Sequence, residues 1–167
     1  MKTKLIIFLG FLSFNSIIAQ IPDEPMTIGE YPAFYTQTIN KLNNIIPNKT
    51  NYYGQPLSVF LQALNQNNII VKKYEPAPFD GAKLLQLSFL WNMDVRIAAT
   101  NNNYAEPYIN IYFQQPFNFQ DATVILNNNN YYAHWNSAAE NFYKNLIIEK
   151  IEFSYVRGLT DKSNNPK

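Results

Sequence analysis

The sequence predicts an α+β fold in which an antiparallel β-sheet of four to five strands packs two to three amphipathic helices on one face. Two observations predict this architecture. Several short segments alternate apolar and polar side chains, which is typical of half-buried strands. Other segments place apolar side chains three and four positions apart, which is typical of helices on a core. No linker or repeat divides these segments, so we expect a single domain over residues 34–160.

The N-terminus has the layout of a secretory signal peptide over residues 1–19. Lys2 and Lys4 form a short positive region, residues 5–18 are largely apolar, and Ala19 offers a small residue for cleavage. The apolar run is short for a membrane span, so an uncleaved anchor is the less favoured alternative. We therefore expect a periplasmic or secreted protein with no membrane span after cleavage. The excess of residues with AT-rich codons, such as Asn, Ile and Lys, favours a bacterial source. Residues 20–33 are rich in proline and are expected to form an extended lead-in.

Three stretches have the helical period. Residues 34–46 are predicted to form a helix that ends at Pro47. Residues 133–148 form another, with Trp135 on its apolar stripe. The clearest helix is Pro56–Gln66, in which the apolar positions fall at i, i+3, i+4 and i+7: Leu57, Phe60, Leu61 and Leu64.

Five stretches are predicted to be strands: residues 69–75, 83–100, 107–115, 122–126 and 149–156. In the longest, every odd position from Leu85 to Ala99 is apolar, and the alternation continues through Asn92. A slip of one residue would reverse the faces, so we favour one long bent strand over two strands joined at Asn92. We expect it to pair with the following strand as an antiparallel hairpin. Residues 161–167 are expected to be a flexible tail.

Composition excludes several classes of function. Of the 13 basic residues, Lys2 and Lys4 belong to the predicted signal peptide, which leaves 11 against 12 acidic residues and a formal charge of −1. Such a chain lacks the basic footprint of a nucleic-acid-binding protein. It has no cysteine, so thiolate metal sites and thiol nucleophiles are excluded. His134 is the single histidine and cannot build a multi-histidine metal site, so no metal is expected.

Catalytic signatures are also lacking in the sequence. No nucleophile elbow or phosphate-cradling glycine loop occurs, and the acidic residues are scattered singly. His134 has no carboxylate placed by a motif to orient it as a general base. We therefore expect no catalytic residues and no cofactor.

The favoured site is the polar face of the predicted sheet. One strand places tyrosines and amides on the same side, and the neighbouring strand adds a pair of charges. Tyrosine suits such a surface because it supplies large contact area at low entropic cost. The C-terminal strand is a further contributor through Lys150, Glu152 and Ser154. The alternative is that residues 20–46 cover this face. The candidate binding residues are Asp94, Arg96, Tyr108, Asn110, Tyr112 and Gln114.

These features favour a small exported, non-catalytic protein that recognises a protein partner, such as an envelope accessory subunit, an inhibitor or an immunity-type protein. A glycan-binding module is one alternative, since aromatic side chains beside amides suit sugars. A small hydrolase that uses paired carboxylates is another. A charged polar–aromatic patch favours the first function, a flat tyrosine strip the second, and a pocket with converging acids the third.

Overall fold

The structure, a computed structural model, describes residues 26–78, 81–127, 132–163 and 165–167. The predicted signal peptide and the first part of the lead-in lie outside these residues. The described chain contains five α-helices: α1 (Tyr31–Leu42), α2 (Leu57–Gln66), α3 (Met93–Asn101), α4 (Phe119–Asn127) and α5 (Ser137–Tyr143). A 3₁₀-helix covers Ile46–Tyr52. The strands are β1 (Lys73–Ala77), β2 (Leu84–Ser88), β3 (Tyr108–Phe113) and β4 (Ile148–Ser154).

The four strands form one sheet in the order β1-β2-β3-β4, and every neighbouring pair is antiparallel. An α+β fold with an antiparallel sheet is therefore confirmed. The helix count was predicted too low, because two helical segments alternate their apolar residues as strands do.

One sheet face supplies the core. The alternating burial of β3 is complete: Ile109, Ile111 and Phe113 are fully buried, and the residues between them are half-buried. These side chains meet the apolar residues of four helices, which place their buried stripes on the same cluster. The helical members of the cluster are Leu42, Leu57, Phe60, Leu61, Leu64, Ala122, Leu126, Ala139 and Tyr143.

α2 follows the prediction closely. Pro56 precedes its first residue, where a missing N–H is tolerated, and the predicted apolar stripe is buried. The strand prediction for residues 149–156 is also confirmed within two residues at each end by β4. Both elements are specified by local periodicity alone.

α1 begins earlier than predicted. It starts at Tyr31, so the last residues of the predicted lead-in are helical, and Pro32 lies in the first turn, which tolerates proline. The hydroxyls of Tyr31 and Tyr35 donate to the carbonyl oxygens of Ala105 and Tyr155, at 2.8 Å and 2.9 Å. These bonds fasten α1 to the end of the sheet where β3 begins and β4 ends.

The single long strand predicted over residues 83–100 is wrong. β2 ends at Ser88, and α3 occupies Met93–Asn101, with the Asn92 side chain accepting a hydrogen bond from the Val95 amide at 3.1 Å. Val95 and Ala99 are buried four positions apart, as on a helix, but both are odd-numbered and therefore also satisfy an alternating pattern. β2 and β3 pair as expected, but α3 connects them instead of a hairpin turn.

The strand predicted over residues 122–126 is also a helix, α4. Ala122 and Leu126 are buried one turn apart, whereas Val124 between them is 51% exposed. The Asn118 side chain accepts hydrogen bonds from the amides of Gln120 and Asp121, which caps the first turn. The helix predicted over 133–148 is shorter, because α5 is limited to Ser137–Tyr143.

Both sheet edges carry backbone partners. At β1, the Tyr74 amide donates to Ala133 and the Trp135 amide donates to Lys72. At β4, Phe153 exchanges two backbone hydrogen bonds with Lys167, in the segment predicted to be a flexible tail. Such coverage limits edge-to-edge pairing between chains. No helix among the described residues has the length and apolar character needed to cross a membrane.

Candidate functional site

The sheet face opposite the core, called the outer face below, brings together three of the predicted binding residues. Tyr108, Asn110 and Tyr112 occupy successive outward positions of β3, and all three are half-buried. Their neighbours on β4 are Ser154, Glu152 and Lys150, respectively, as the alternation of that strand predicts. The buried residues of α1 pack in both apolar clusters, and the second cluster also includes Tyr155, the neighbour of Tyr108.

The middle of the outer face is a row of four polar residues in register across all four strands. Glu75, Gln86, Asn110 and Glu152 pair in that order. The Gln86 amide lies 3.5 Å from the Asn110 side-chain oxygen, a long hydrogen bond. The row therefore presents two amides between two carboxylates, a pattern of donors and acceptors that a partner surface can match.

Tyr112 lies in the next row and is engaged on two sides. Its hydroxyl donates to the Glu152 carboxylate at 3.1 Å, and the Lys150 ammonium lies 5.1 Å from its ring centroid. Lys150 also forms an ion pair with Glu152, and this hydrogen bond raises the pKa of Lys150. The three side chains thus form one connected charged and aromatic unit.

The opposite end of the outer face is more enclosed. Lys73 and Ser88 point outward by register yet are only 6% and 5% exposed. Lys73 pairs with Glu75 on the same strand. The Tyr108 ring packs edge-on against Tyr155 at 5.4 Å between centroids. Tyr108 and Tyr112 are thus both half-buried, and each is engaged by neighbouring side chains.

The placement of Asp94 and Arg96 on a neighbouring strand is corrected by the structure, because both lie on α3. The Arg96 Nε lies 2.8 Å and 2.9 Å from the two carboxylate oxygens of Glu106. Glu106 precedes β3 by two residues and shares the outward parity of Tyr108, so this ion pair ties α3 to the enclosed end of the outer face. Burial raises the pKa of Glu106, against the opposing attraction of Arg96.

The two remaining predicted residues lie at the margins. Asp94 is exposed in the first turn of α3, where a carboxylate is favoured by the helix dipole. Gln114 is exposed just past the end of β3, and its backbone amide donates to Ile147. Neither contributes to the row of polar side chains on the outer face.

α3 also presents an apolar strip that the sequence interpretation missed. Met93 and Ile97 are one turn apart and are 56% and 52% exposed. They line a shallow groove of about 220 Å³ together with Arg96, Glu106 and two polar residues of the same helix. The strip thus borders the enclosed end of the outer face. A signal was present, since apolar side chains at i and i+4 beside a capping asparagine indicate a helix.

Glu75, Gln86 and Glu106 were also missed as members of the site. Glu75 and Gln86 join it only through strand register, which a single sequence does not contain. Glu106 has the same parity as Tyr108, but Pro107 interrupts the apparent strand.

His134 lies at the edge of β1, opposite Lys73 in an isolated antiparallel bridge, so it adjoins the enclosed end of the outer face. Its ring packs edge-on with Trp91 at 6.1 Å, and burial lowers the pKa of His134. Across the described ranges, no group of three or more metal-ligating side chains occurs.

Comparison of the chain with protein-family models, with curated proteins and with solved structures found no match. The function is therefore argued from the geometry of the outer face and of α3.

Proposed function

We propose that this chain is a small exported, non-catalytic protein that recognises a protein partner through the outer face and the adjoining strip of α3. The observation that carries this proposal is the exposure of Met93 and Ile97 beside a band of paired charges and amides. An apolar centre with a polar, charged rim is the usual composition of a protein–protein interface. An envelope accessory subunit, an inhibitor or an immunity-type protein would each use such a surface.

The contacts of Tyr112 favour a protein partner over a glycan. A sugar-binding platform needs an open aromatic face, but the Lys150 ammonium lies 5.1 Å from the centroid of this ring. The amides of Gln86 and Asn110 are within reach of each other, so they supply fewer unpaired groups to sugar hydroxyls. A charged protein surface, in contrast, can pair with Lys150 and Glu152 without displacing them.

The carboxylates of this region give less support to a hydrolase. Glu106 is held through both oxygens by Arg96, Glu75 pairs with Lys73, and Glu152 accepts from Tyr112. A general acid and a nucleophile or base must both face the substrate. These three acids instead serve ion pairs within the fold.

Export is part of the proposal. The basic, apolar and small-residue sequence of residues 1–19 supports delivery to a periplasm or to the medium. A partner would then be sought in the envelope and in the culture fluid.

The test is an affinity capture with the exported protein from envelope and culture fractions, read by mass spectrometry, with two matched variants. Ile97→Asp places a charge in the proposed interface, and Val124→Asp places the same charge at a residue of equal exposure on α4. Both positions are about half exposed, so neither change should unfold the protein. We expect a stoichiometric partner that is retained by Val124→Asp and lost with Ile97→Asp.

Tyr112→Ala provides an independent measurement on the sheet itself. Loss of the ring removes the contacts to Lys150 and Glu152, and we expect the affinity for the same partner to fall about tenfold or more. A partner whose binding is unchanged in both Ile97→Asp and Tyr112→Ala would contradict the proposed surface. Failure to capture any partner stoichiometrically would contradict the proposed function.

A further inference from the structure

The groove on α3 has apolar walls that a ligand can touch. Met93 and Ile97 are one helical turn apart and are 56% and 52% exposed, so much of their apolar surface is open to solvent. Burial of such surface is favourable, and the flexible thioether of methionine adapts its shape to a partner. The volume of about 220 Å³ is below the roughly 300–1,000 Å³ of sites for drug-sized ligands, so the groove suits a single amino-acid residue.

The Arg96 guanidinium lines the same groove and keeps most of its hydrogen-bond donors. Within the part of the chain that the structure describes, its side-chain hydrogen bonds all come from Nε, which lies 2.8 Å and 2.9 Å from the two carboxylate oxygens of Glu106. A guanidinium has five N–H donors, so the four on its terminal nitrogens remain for a ligand. The ion pair restrains this group, since the two side chains are only 20% and 23% exposed.

Glu106 supplies acceptors beside these donors. Each carboxylate oxygen has two lone pairs, and the bond from Arg96 uses one on each oxygen. The charges of this pair cancel. The next charges, Lys73 and Glu75, are paired with each other and act on Glu106 with opposite signs. The groove therefore offers N–H donors and carboxylate acceptors side by side without a net charge.

We propose that this groove binds one aliphatic residue of the partner protein in an uncharged, extended peptide, with its side chain between Met93 and Ile97. The carbonyl oxygen of that residue accepts from a terminal N–H of Arg96, and its own N–H donates to Glu106. An extended residue directs both backbone groups to the same side, as in a hydrogen-bonded strand pair, so it complements this ion pair. The inference rests on the proposed function, since it states what the partner presents to α3.

The experiment is an NMR titration of the full chain with N-acetyl-leucine N-methylamide, which carries one aliphatic side chain between two peptide groups. We expect shifts of the α3 amides that saturate with a Kd of about 1 mM, as a ligand of this size allows. N-acetyl-alanine N-methylamide should bind at least about tenfold more weakly, because it loses the apolar contact of three carbon atoms.

Two analogues of the leucine amide test its polar contacts. In the first, an ester oxygen replaces the leucine N–H, and we expect at least about tenfold weaker binding, because a hydrogen bond to a charged group contributes strongly. The second, N-acetyl-leucine, places a carboxylate next to Glu106 and should bind no more tightly than the amide, because the two negative charges repel each other. Tighter binding of this carboxylate would overturn the choice of an uncharged peptide.

Three variants locate the bound probe. The double variant Arg96→Met/Glu106→Leu removes both polar partners and leaves no unpaired charge, so it should remain folded while the affinity for the leucine amide falls about tenfold or more. Ile97→Asp places a charge in the apolar wall and should abolish saturable binding. Val124→Asp is its matched control, since this residue of α4 is 51% exposed, and it should bind as the wild type does.

Three further results would overturn the inference. The first is that the leucine amide gives no saturable shifts up to about tenfold above the expected Kd. The second is that the ester analogue binds as tightly as the amide. The third is that Ile97→Asp and Val124→Asp bind the amide alike.

The proposed function fails separately, because affinity capture of a partner does not involve the probe. A captured partner that is lost with Ile97→Asp, together with no binding of the leucine amide, would retain the proposed function and overturn the peptide contact. Saturable binding of the amide without any captured partner would retain the ligand class of the groove and contradict the proposed function.

Discussion

The ion pair between Arg96 and Glu106 allows the link between α3 and the outer face to be measured. The Arg96 Nε lies within 2.9 Å of both carboxylate oxygens, and the two side chains are only 20% and 23% exposed. Removal of one member of a fully buried pair costs about 3–5 kcal/mol, because the other charge is left without a partner. Since about a fifth of each side chain remains in water, we expect Arg96→Met to cost about 2 kcal/mol near neutral pH.

The double variant Arg96→Met/Glu106→Leu should be closer to the wild type than Arg96→Met alone. It removes both charges, and apolar replacements of a buried ion pair are often neutral. Arg157→Met is the matched control, because this arginine is exposed and should change the stability by less than about 0.5 kcal/mol. Urea unfolding followed by circular dichroism gives all of these differences.

The pH dependence of Arg96→Met gives a second check. Burial raises the folded-state pKa of Glu106, and Arg96 opposes this rise, so the variant should raise the pKa further. An acid whose folded-state pKa exceeds its unfolded value favours the folded state when protonated. The stability deficit of Arg96→Met should therefore shrink as the pH falls below that pKa. A deficit that is independent of pH, or a double variant no more stable than Arg96→Met, would refute this account of the ion pair.

Two further predictions concern the fold. Asn92→Ala removes the side-chain cap on the Val95 amide and should lower the free energy of unfolding by about 1 kcal/mol. Asn44→Ala, at an exposed site, should change it little, and equal effects of the two variants would contradict the cap. The buried Tyr74 hydroxyl has no hydrogen-bond partner among the described residues, so Tyr74→Phe should be neutral or stabilising in urea unfolding. Tyr31→Phe removes a 2.8 Å hydrogen bond to the Ala105 carbonyl oxygen and should cost about 1 kcal/mol in the same assay. Burial raises the pKa of Tyr74 to about 12 from 10.0, so the unfolded chain loses this proton before the folded protein does, and the free energy of unfolding falls as the pH rises from 10 toward 12. Tyr74→Phe should flatten that alkaline loss, and an unchanged slope would contradict it.

The two wrong strand predictions have the same physical origin. An apolar residue at i and another at i+4 lie on one side of a helix, and they also lie on one side of a strand. Val95 with Ala99, and Ala122 with Leu126, satisfy both periods. What separates them is the residue halfway between, since Ile97 and Val124 are exposed although an alternating strand would bury them. Tertiary packing therefore decides between helix and strand in both segments.

The sequence also predicted part of the candidate site. The alternation of β3 was sufficient to place Tyr108, Asn110 and Tyr112 on one side, because a strand projects successive side chains to opposite faces. It could not place Arg96 beside Glu106, since that contact depends on α3 lying next to the N-terminal end of β3 in the folded protein.

The sequence by itself determined the α+β class, α2, the two adjacent strands β3 and β4, and the direction in which their side chains point. Each of these follows from a repeat of a few residues, which local backbone geometry converts directly into an apolar face. The tertiary structure alone decided which polar residues meet across the sheet and where α3 lies. Glu75 and Glu152 are separated by more than half of the described chain, and only strand register brings them into one row.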